Sequence, residues 1–174
     1  ITVIQHPRLL KDNICYKEMK ITLNSLKHFR YPTVIIYPNS DPGSDGIIKC
    51  IKEHSKVTYI KSFKNLDRSY FINLIRHTSC LVGNSSMAFV EAGFLKLPCV
   101  NVGTRQKNRF QDGNVINVLN KESQIIQAIK KACFDKVFLK KIKNIRSHYG
   151  NGSSGIKIVK VIEKFINNKN LLEK

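Results

Sequence analysis

The chain has 174 residues, which suits one domain with a sizeable core. Hydrophobic residues make up 42% and charged residues 24%, the balance of a globular protein and not of a disordered or fibrous one. The net charge of +18 comes mostly from Lys spread along the whole length; with no Arg-rich run and no RRM, KH or zinc-finger signature, it points to no specific nucleic-acid partner.

The elements alternate along the chain. ITVI at 1–4 reads as a strand running into the loop QHPRLL. Met19, Ile21, Leu23, Leu26 and Phe29 then predict a helix over 15–29. TVIIY at 33–37 is the next strand, and Ser44 with Asp45 starts a helix over 44–54. VTYI at 57–60 predicts a strand and 67–78 a helix. CLV at 80–82 leads through Gly83 into a helix predicted over 85–96, followed by strands PCVNV at 98–102 and NVINV at 114–118. The β-branched runs are continuous, not alternating, as in strands covered on both faces. After residue 120 the strands stop, with helices predicted over 121–133 and 136–147. Ser153 or Ser154 caps a last amphipathic helix, and the tail NNKNLLEK reads as frayed. The fold class predicted is α/β, a Rossmann-like doubly wound parallel sheet with C-terminal helices.

No apolar run is long enough to span a bilayer and no cleavable signal peptide is visible, so no membrane partner is expected. The chain lacks an initiator Met and starts inside a strand, which reads as part of a longer protein. Five cysteines (Cys15, Cys50, Cys80, Cys99 and Cys133) form no C-x-x-C pair, and several sit in apolar runs. They read as reduced core residues of a cytoplasmic protein. The histidines show no metal-ligand spacing, so neither a metal nor a cofactor is expected.

The chemistry concentrates at GNSSMAFVEAGFLKLPCVNVGTRQKNR, residues 83–109. In a doubly wound sheet, ligands bind at the carboxyl ends of the strands. Gly83 turns the chain sharply, and Asn84, Ser85 and Ser86 follow at a helix start, where free amides and two hydroxyls suit a phosphate or diphosphate. The bland alternative is that one serine merely caps the helix. Glu91 lies in an apolar stretch that predicts burial. A buried carboxylate needs partners, either a ribose diol or a local Lys or Arg. Gly103 ends the next strand, and Arg105, Lys107 and Arg109 follow. Arginine forks match phosphate, although a solvated basic loop is equally ordinary in so cationic a chain. NSDPGSDG lacks the final Glu and the spacing of a calcium loop and reads as a helix-capping turn, with Asn39 and Asp41 as minor site candidates.

Taken together these residues carry a resemblance. QHP at 5–7, YPNSDPGSDG at 37–46, GNSS at 83–86 with Glu91, GTRQ at 103–106 with Arg109, GNVINV at 113–118 and YGNGSS at 149–154 occur in order. The chain resembles the C-terminal half of UDP-N-acetylglucosamine 2-epimerases, especially the hydrolysing kind of sialic-acid and related pathways. The resemblance implies one half of a GT-B-like two-domain fold, with the active site in the cleft between halves. It implies a missing N-terminal domain that holds the acid–base carboxylates, UDP or a UDP-sugar as ligand, and a homo-oligomer in the full-length protein. By the same carry-over, Ser85 and Ser86 hold the diphosphate beside Gly83 and Asn84, and Glu91 the ribose. His6 lies on the catalytic side near the sugar phosphate, and Arg105 and Arg109 line or brace the site. The segment Ile60–Leu66 lies by the uracil with Phe63 as its stacking residue, and Asn39 is a further nucleotide-binding candidate from the turn near the cleft. The family reaction removes the C2 proton, expels UDP to give a glycal, and adds water to release N-acetylmannosamine. The alternatives are the donor-binding domain of a GT-B glycosyltransferase and a non-catalytic nucleotide-binding module.

Overall fold

The computed structural model describes residues 1–8 and 11–166. The tail read as frayed, 167–174, lies outside the described residues. Six strands form one sheet in the order β3-β2-β1-β4-β5-β6, and every neighbouring pair is parallel. The strands are β1 (Thr2–Ile4), β2 (Thr33–Ile36), β3 (Ile60–Phe63), β4 (Leu81–Gly83), β5 (Cys99–Val102) and β6 (Val115–Val118). The helices are α1 (Asp12–Lys27), α2 (Ser44–Glu53), α3 (Arg68–Arg76), α4 (Met87–Val90), α5 (Glu122–Phe134), α6 (Lys136–Lys143) and α7 (Ser154–Phe165). This strand order is that of a doubly wound Rossmann-like sheet, with its reversal between β1 and β4.

The continuous apolar runs now have their reason. Successive side chains on a strand point to opposite faces, and both faces here are covered. Val3, Ile35, Val82 and Val100 face one way and pack with α1, α2 and α5 around Met19, Leu23, Ile47 and Ile129. Ile4, Leu81 and Cys99 face the other way, against Ile75 of α3 and Met87 and Phe89 of α4. Burying such side chains contributes about 1.5–3 kcal/mol each, so neither face can be left bare. Cys15, Cys50, Cys80 and Cys99 are buried thiols and Cys133 is half-buried, with no disulfide among them. Burial pushes the Cys50 thiol up to about 11.

Several boundaries differ from the periodicity reading, among them the helix expected over 136–147, which ends at Lys143. The third strand starts at Ile60, where the run VTYI was expected to end. Val57 and Ile60 close turn bonds to His54 and Val57 carbonyls, and the pairing Thr33↔Ile60 through Ile36↔Phe63 sets the strand instead. Tertiary pairing overrides the β-propensity of Val57–Tyr59. The first helix starts three residues earlier than read, at Asp12. The helix expected over 85–96 is only four residues, Met87–Val90. Beyond it Ala92 N–H bonds back to the Met87 carbonyl, and the chain turns through Lys96 at φ 57°. Gly93 sits where a Cβ would come 2.3 Å from Asp112 Oδ2, so that segment winds tightly against the loop before β6.

A candidate nucleotide cleft where the sheet reverses

β1 and β4 run side by side with Ile4 opposite Gly83, so both strands end at one point of the carboxyl edge. Their continuations are locked together. His6 N–H donates to Asn84 Oδ1 at 2.7 Å, Asn84 Nδ2 donates to the His6 carbonyl at 2.9 Å, and Asn84 N–H donates to the Ile4 carbonyl at 3.1 Å. This close approach explains Gly83: its φ is +133° and a Cβ would lie 2.1 Å from the Ile4 carbonyl oxygen. The loop after β5 braces the same residue from the other side. Buried Gln106 donates from Nε2 to the Asn84 carbonyl at 2.8 Å, and Arg105 donates to it from Nη1 at 3.3 Å.

Around this clamp lies a cleft of about 340 Å³. Its polar wall is His6, Ser85, Ser86 and Glu91, and its apolar wall includes Ile36, Tyr37 and Phe71. The two serines divide their work. Ser85 Oγ accepts the Met87 N–H at 3.3 Å, a turn bond just ahead of the short helix. The Ser86 hydroxyl and the amides of Ser85 and Ser86 bond to no other described residue. Because α4 is a single turn, its dipole is small, and these individual donors supply the attraction for an anion.

Glu91 is exposed, which corrects the expectation of a buried carboxylate. The helix ends at Val90, so the side chain projects from the turn that follows and needs no buried counter-ion. It still lines the cleft with Ser85 and Ser86. His6 is half-buried, and its Nδ1 meets Asn39. Burial depresses its pKa first and the nearby Arg105 guanidinium second, while Asn39 and Asp41 act in the opposite sense.

The structure thus brings His6, Asn84, Ser85, Ser86 and Glu91 together, with Asn39 and Arg105 behind them. Gly83 acts through its backbone. Two expected residues are not part of the cleft wall: Arg109, exposed midway along the loop between β5 and β6, and Phe63, 41% exposed at the end of β3. Lys107 lines a separate cavity of about 370 Å³ beside β5 and β6. Tyr37 and Phe71 are the aromatic residues of the cleft wall, and Gln106 joins Arg105 on the Asn84 carbonyl. Tyr37 had a signal in the sequence, since it follows the strand TVII directly at the carboxyl edge. Phe71 had none, because only the packing of α3 turns it to the cleft. Arg8 was also unforeseen: it pairs with Glu18 of α1 at 2.5 Å and donates to Thr104 at 3.2 Å, tying the β1 loop to the β5 loop.

The model of the family described as UDP-N-acetylglucosamine 2-epimerase matches residues 1–163. The chain belongs to this family. It is 28% identical over 173 residues to the polysialic acid biosynthesis protein P7 of Escherichia coli, a match covering 97% of this chain and 43% of that protein. It is 34% identical over 100 residues to the UDP-N-acetylglucosamine 2-epimerase of Neisseria meningitidis, covering 58% of this chain and 26% of the relative. The chain therefore spans less than half the length of the curated relatives it matches. Among solved structures, the N. meningitidis UDP-GlcNAc 2-epimerase bound to UDP-GlcNAc superposes with a TM-score of 0.74 at 20% identity, over 94% of this chain and 44% of that one. The S. aureus MnaA–UDP co-structure gives 0.69 at 18% identity, over 95% and 46%. These likenesses show the fold: a Rossmann-like unit of the kind found in GT-B-like epimerases. No helix among the described residues is long and apolar enough to cross a membrane.

Proposed function

We propose that this chain is the C-terminal, UDP-binding half of a hydrolysing UDP-N-acetylglucosamine 2-epimerase that converts UDP-N-acetylglucosamine and water to N-acetylmannosamine and UDP in the cytoplasm, for sialic-acid or related surface-sugar biosynthesis. The observation that carries the reading is the convergence of His6, Ser85, Ser86 and Glu91 on one cleft where the sheet reverses, in a chain of this family. Ser86 and the two free amides receive the diphosphate. Arg105 adds positive potential behind the Asn84 carbonyl. Glu91 accepts from the ribose diol, for which a carboxylate at the cleft rim is suited, since the fold leaves it exposed to solvent before binding. Tyr37 and Phe71 offer apolar surface to the base. These groups favour departure of UDP by stabilising charge that develops on the leaving diphosphate.

Removing the C2 proton and hydrating the glycal need acid–base groups at the sugar. Among the described residues the cleft is lined by one carboxylate, Glu91, assigned to ribose. The remaining carboxylates are assigned to an N-terminal domain, and this chain alone is expected to bind without turnover. Two observations support a second half. The chain spans under half of its relatives. In α7 no residue is buried, although Ile156, Ile158, Val161 and Ile162 are 52–65% exposed. A helix with so large an apolar face needs cover.

Calorimetric titration with UDP, with GDP as control and at two salt concentrations, tests the binding half. Selective and weakly salt-dependent UDP binding is expected. Equal, steeply salt-dependent binding of both nucleotides would reduce the cleft to a basic surface. The hydrolysing outcome is tested on the full-length protein in ¹⁸O-water, where the released N-acetylmannosamine should carry the label at C1.

A further inference from the structure

His6 stands on the loop after β1, and Asn39 on the loop between β2 and α2. The two meet through two contacts of equal length. Asn39 backbone N–H points to His6 Nδ1 at 3.1 Å, and Asn39 Oδ1 lies 3.1 Å from the same nitrogen. A backbone N–H can only donate and an amide oxygen only accept, so the first contact suits a ring that accepts at Nδ1 and carries its proton on Nε2, and the second a ring that donates from Nδ1. When the ring takes a second proton, Nδ1 becomes a donor, and Oδ1 is its acceptor. The amide is held in the orientation this requires: Asn39 Nδ2 donates to Asp41 Oδ2 at 2.6 Å, which leaves Oδ1 on the His6 side. Asp41 in turn lies 3.9 Å from Arg105 Nη2.

We propose that Asn39 and Asp41 are positioning residues for His6, which hold its neutral ring as the Nε2–H tautomer, a donor to ligand in the cleft, and supply the acceptor for its protonated form. The proposal deepens the nucleotide reading of the cleft and rests on it for the identity of the ligand. His6 Nε2 bonds to no other described residue, so this nitrogen is the one left for an oxygen of the bound diphosphate. Asn39, assigned to nucleotide binding from the sequence, thereby acts through His6 instead. The charges that face His6 are Asp41 from the β2 loop and Arg105 from the β5 loop, with Glu91 and Tyr37 lining the same cleft. Arg8, two residues away, is taken up by Glu18 and Thr104. Burial and Arg105 oppose the second proton, and Asn39 and Asp41 favour it, so the pair sets where the switch between donor and cation falls.

The test is long-range ¹H–¹⁵N correlation of ¹⁵N-histidine-labelled protein across pH, with His6→Gln assigning the signal. Wild type should show the Nε2–H tautomer at high pH. Asn39→Ala keeps the backbone N–H and loses Oδ1, so the tautomer should persist while the His6 midpoint falls. Asp41→Asn should also lower it, by removing the charge and freeing the amide. Asn39→Asp should raise it. The other four histidines serve as internal reference and should not respond. Asn39 and Asp41 are exposed loop residues, so these variants keep the fold, and far-UV circular dichroism checks it. An Nδ1–H or mixed tautomer, or a midpoint unmoved in both Asn39→Ala and Asp41→Asn, overturns the proposal. The measurement needs no ligand, so a failure of UDP to bind sinks the nucleotide reading separately. If UDP binds, the pH midpoint of its affinity should move with the His6 midpoint in each variant.

Discussion

Ser85 and Ser86 are adjacent and chemically identical, yet the structure separates their effects. Ser85 Oγ is committed to the Met87 N–H. Ser85→Ala should therefore cost mainly stability, about 0.5–1.5 kcal/mol, the net worth of one hydrogen bond, read as a shift in urea midpoint. Ser86→Ala should leave the midpoint in place and weaken UDP by about 1.5–3 kcal/mol, the scale of a hydrogen bond to a charged group, read by calorimetry. Glu91→Gln should weaken UDP more than it weakens pyrophosphate, since only the nucleotide carries a ribose; equal losses for both would move Glu91 out of the ribose role. His6 gives a pH prediction. Its folded pKa lies below the usual 6.5, so the unfolded chain binds the proton first as pH falls. Its contribution to stability is then flat above that region and becomes unfavourable below it. Urea denaturation of wild type and His6→Gln should give stability curves that agree in shape above pH 7 and diverge below about 6.5, the wild type losing more.

At the scale of elements, the close pairing of β1 with β4 decides the site. Gly83→Ala would place a Cβ 2.1 Å from the Ile4 carbonyl oxygen at a φ of +133°. The left-handed cost alone is about 1–2 kcal/mol, and the clash adds to it, so the variant should lose at least that much stability and its UDP binding together. The helix α7 predicts the reverse. None of its residues is buried, so Val161→Asp should leave this chain's melting unchanged within about 0.5 kcal/mol. In the full-length protein the same change should lower the melting temperature, because there the apolar face is expected to be covered. An unchanged full-length protein would leave α7 without the assigned contact.

On the scale of the whole molecule, a charge of +18 makes any anion attractive at low salt. What distinguishes a built site from bulk charge is selectivity that survives salt. That is why UDP and GDP are compared at two salt concentrations. Much of the architecture was legible from local pattern: doubly covered parallel strands from continuous β-branched runs, the turn at Gly83, and helices after residue 120 where the strands end. The errors had local causes as well. Val57–Tyr59 has strand composition but lies in a turn, and the apolar stretch after Ser86 looks helical while only four residues are helix. Glu91 was read as buried because its neighbours are apolar, yet the turn at Val90 directs it outward.

The sequence by itself determined the order and type of the elements, the carboxyl-edge placement of the serines, and the family, because these depend on residue spacing and on motifs in a line. The tertiary structure decided which of those residues meet. His6 and Asn84 are 78 positions apart and His6 and Asn39 are 33 apart. They touch because β1 is flanked by β2 on one side and β4 on the other. Strand order is a property of how the crossover helices pack on the two faces, and no local periodicity encodes it. For the same reason Phe63 and Arg109, expected at the site, are not part of the cleft wall, while Tyr37 and Gln106, inside the motifs but given no role there, and Phe71, outside them, form the walls and brace of the cleft.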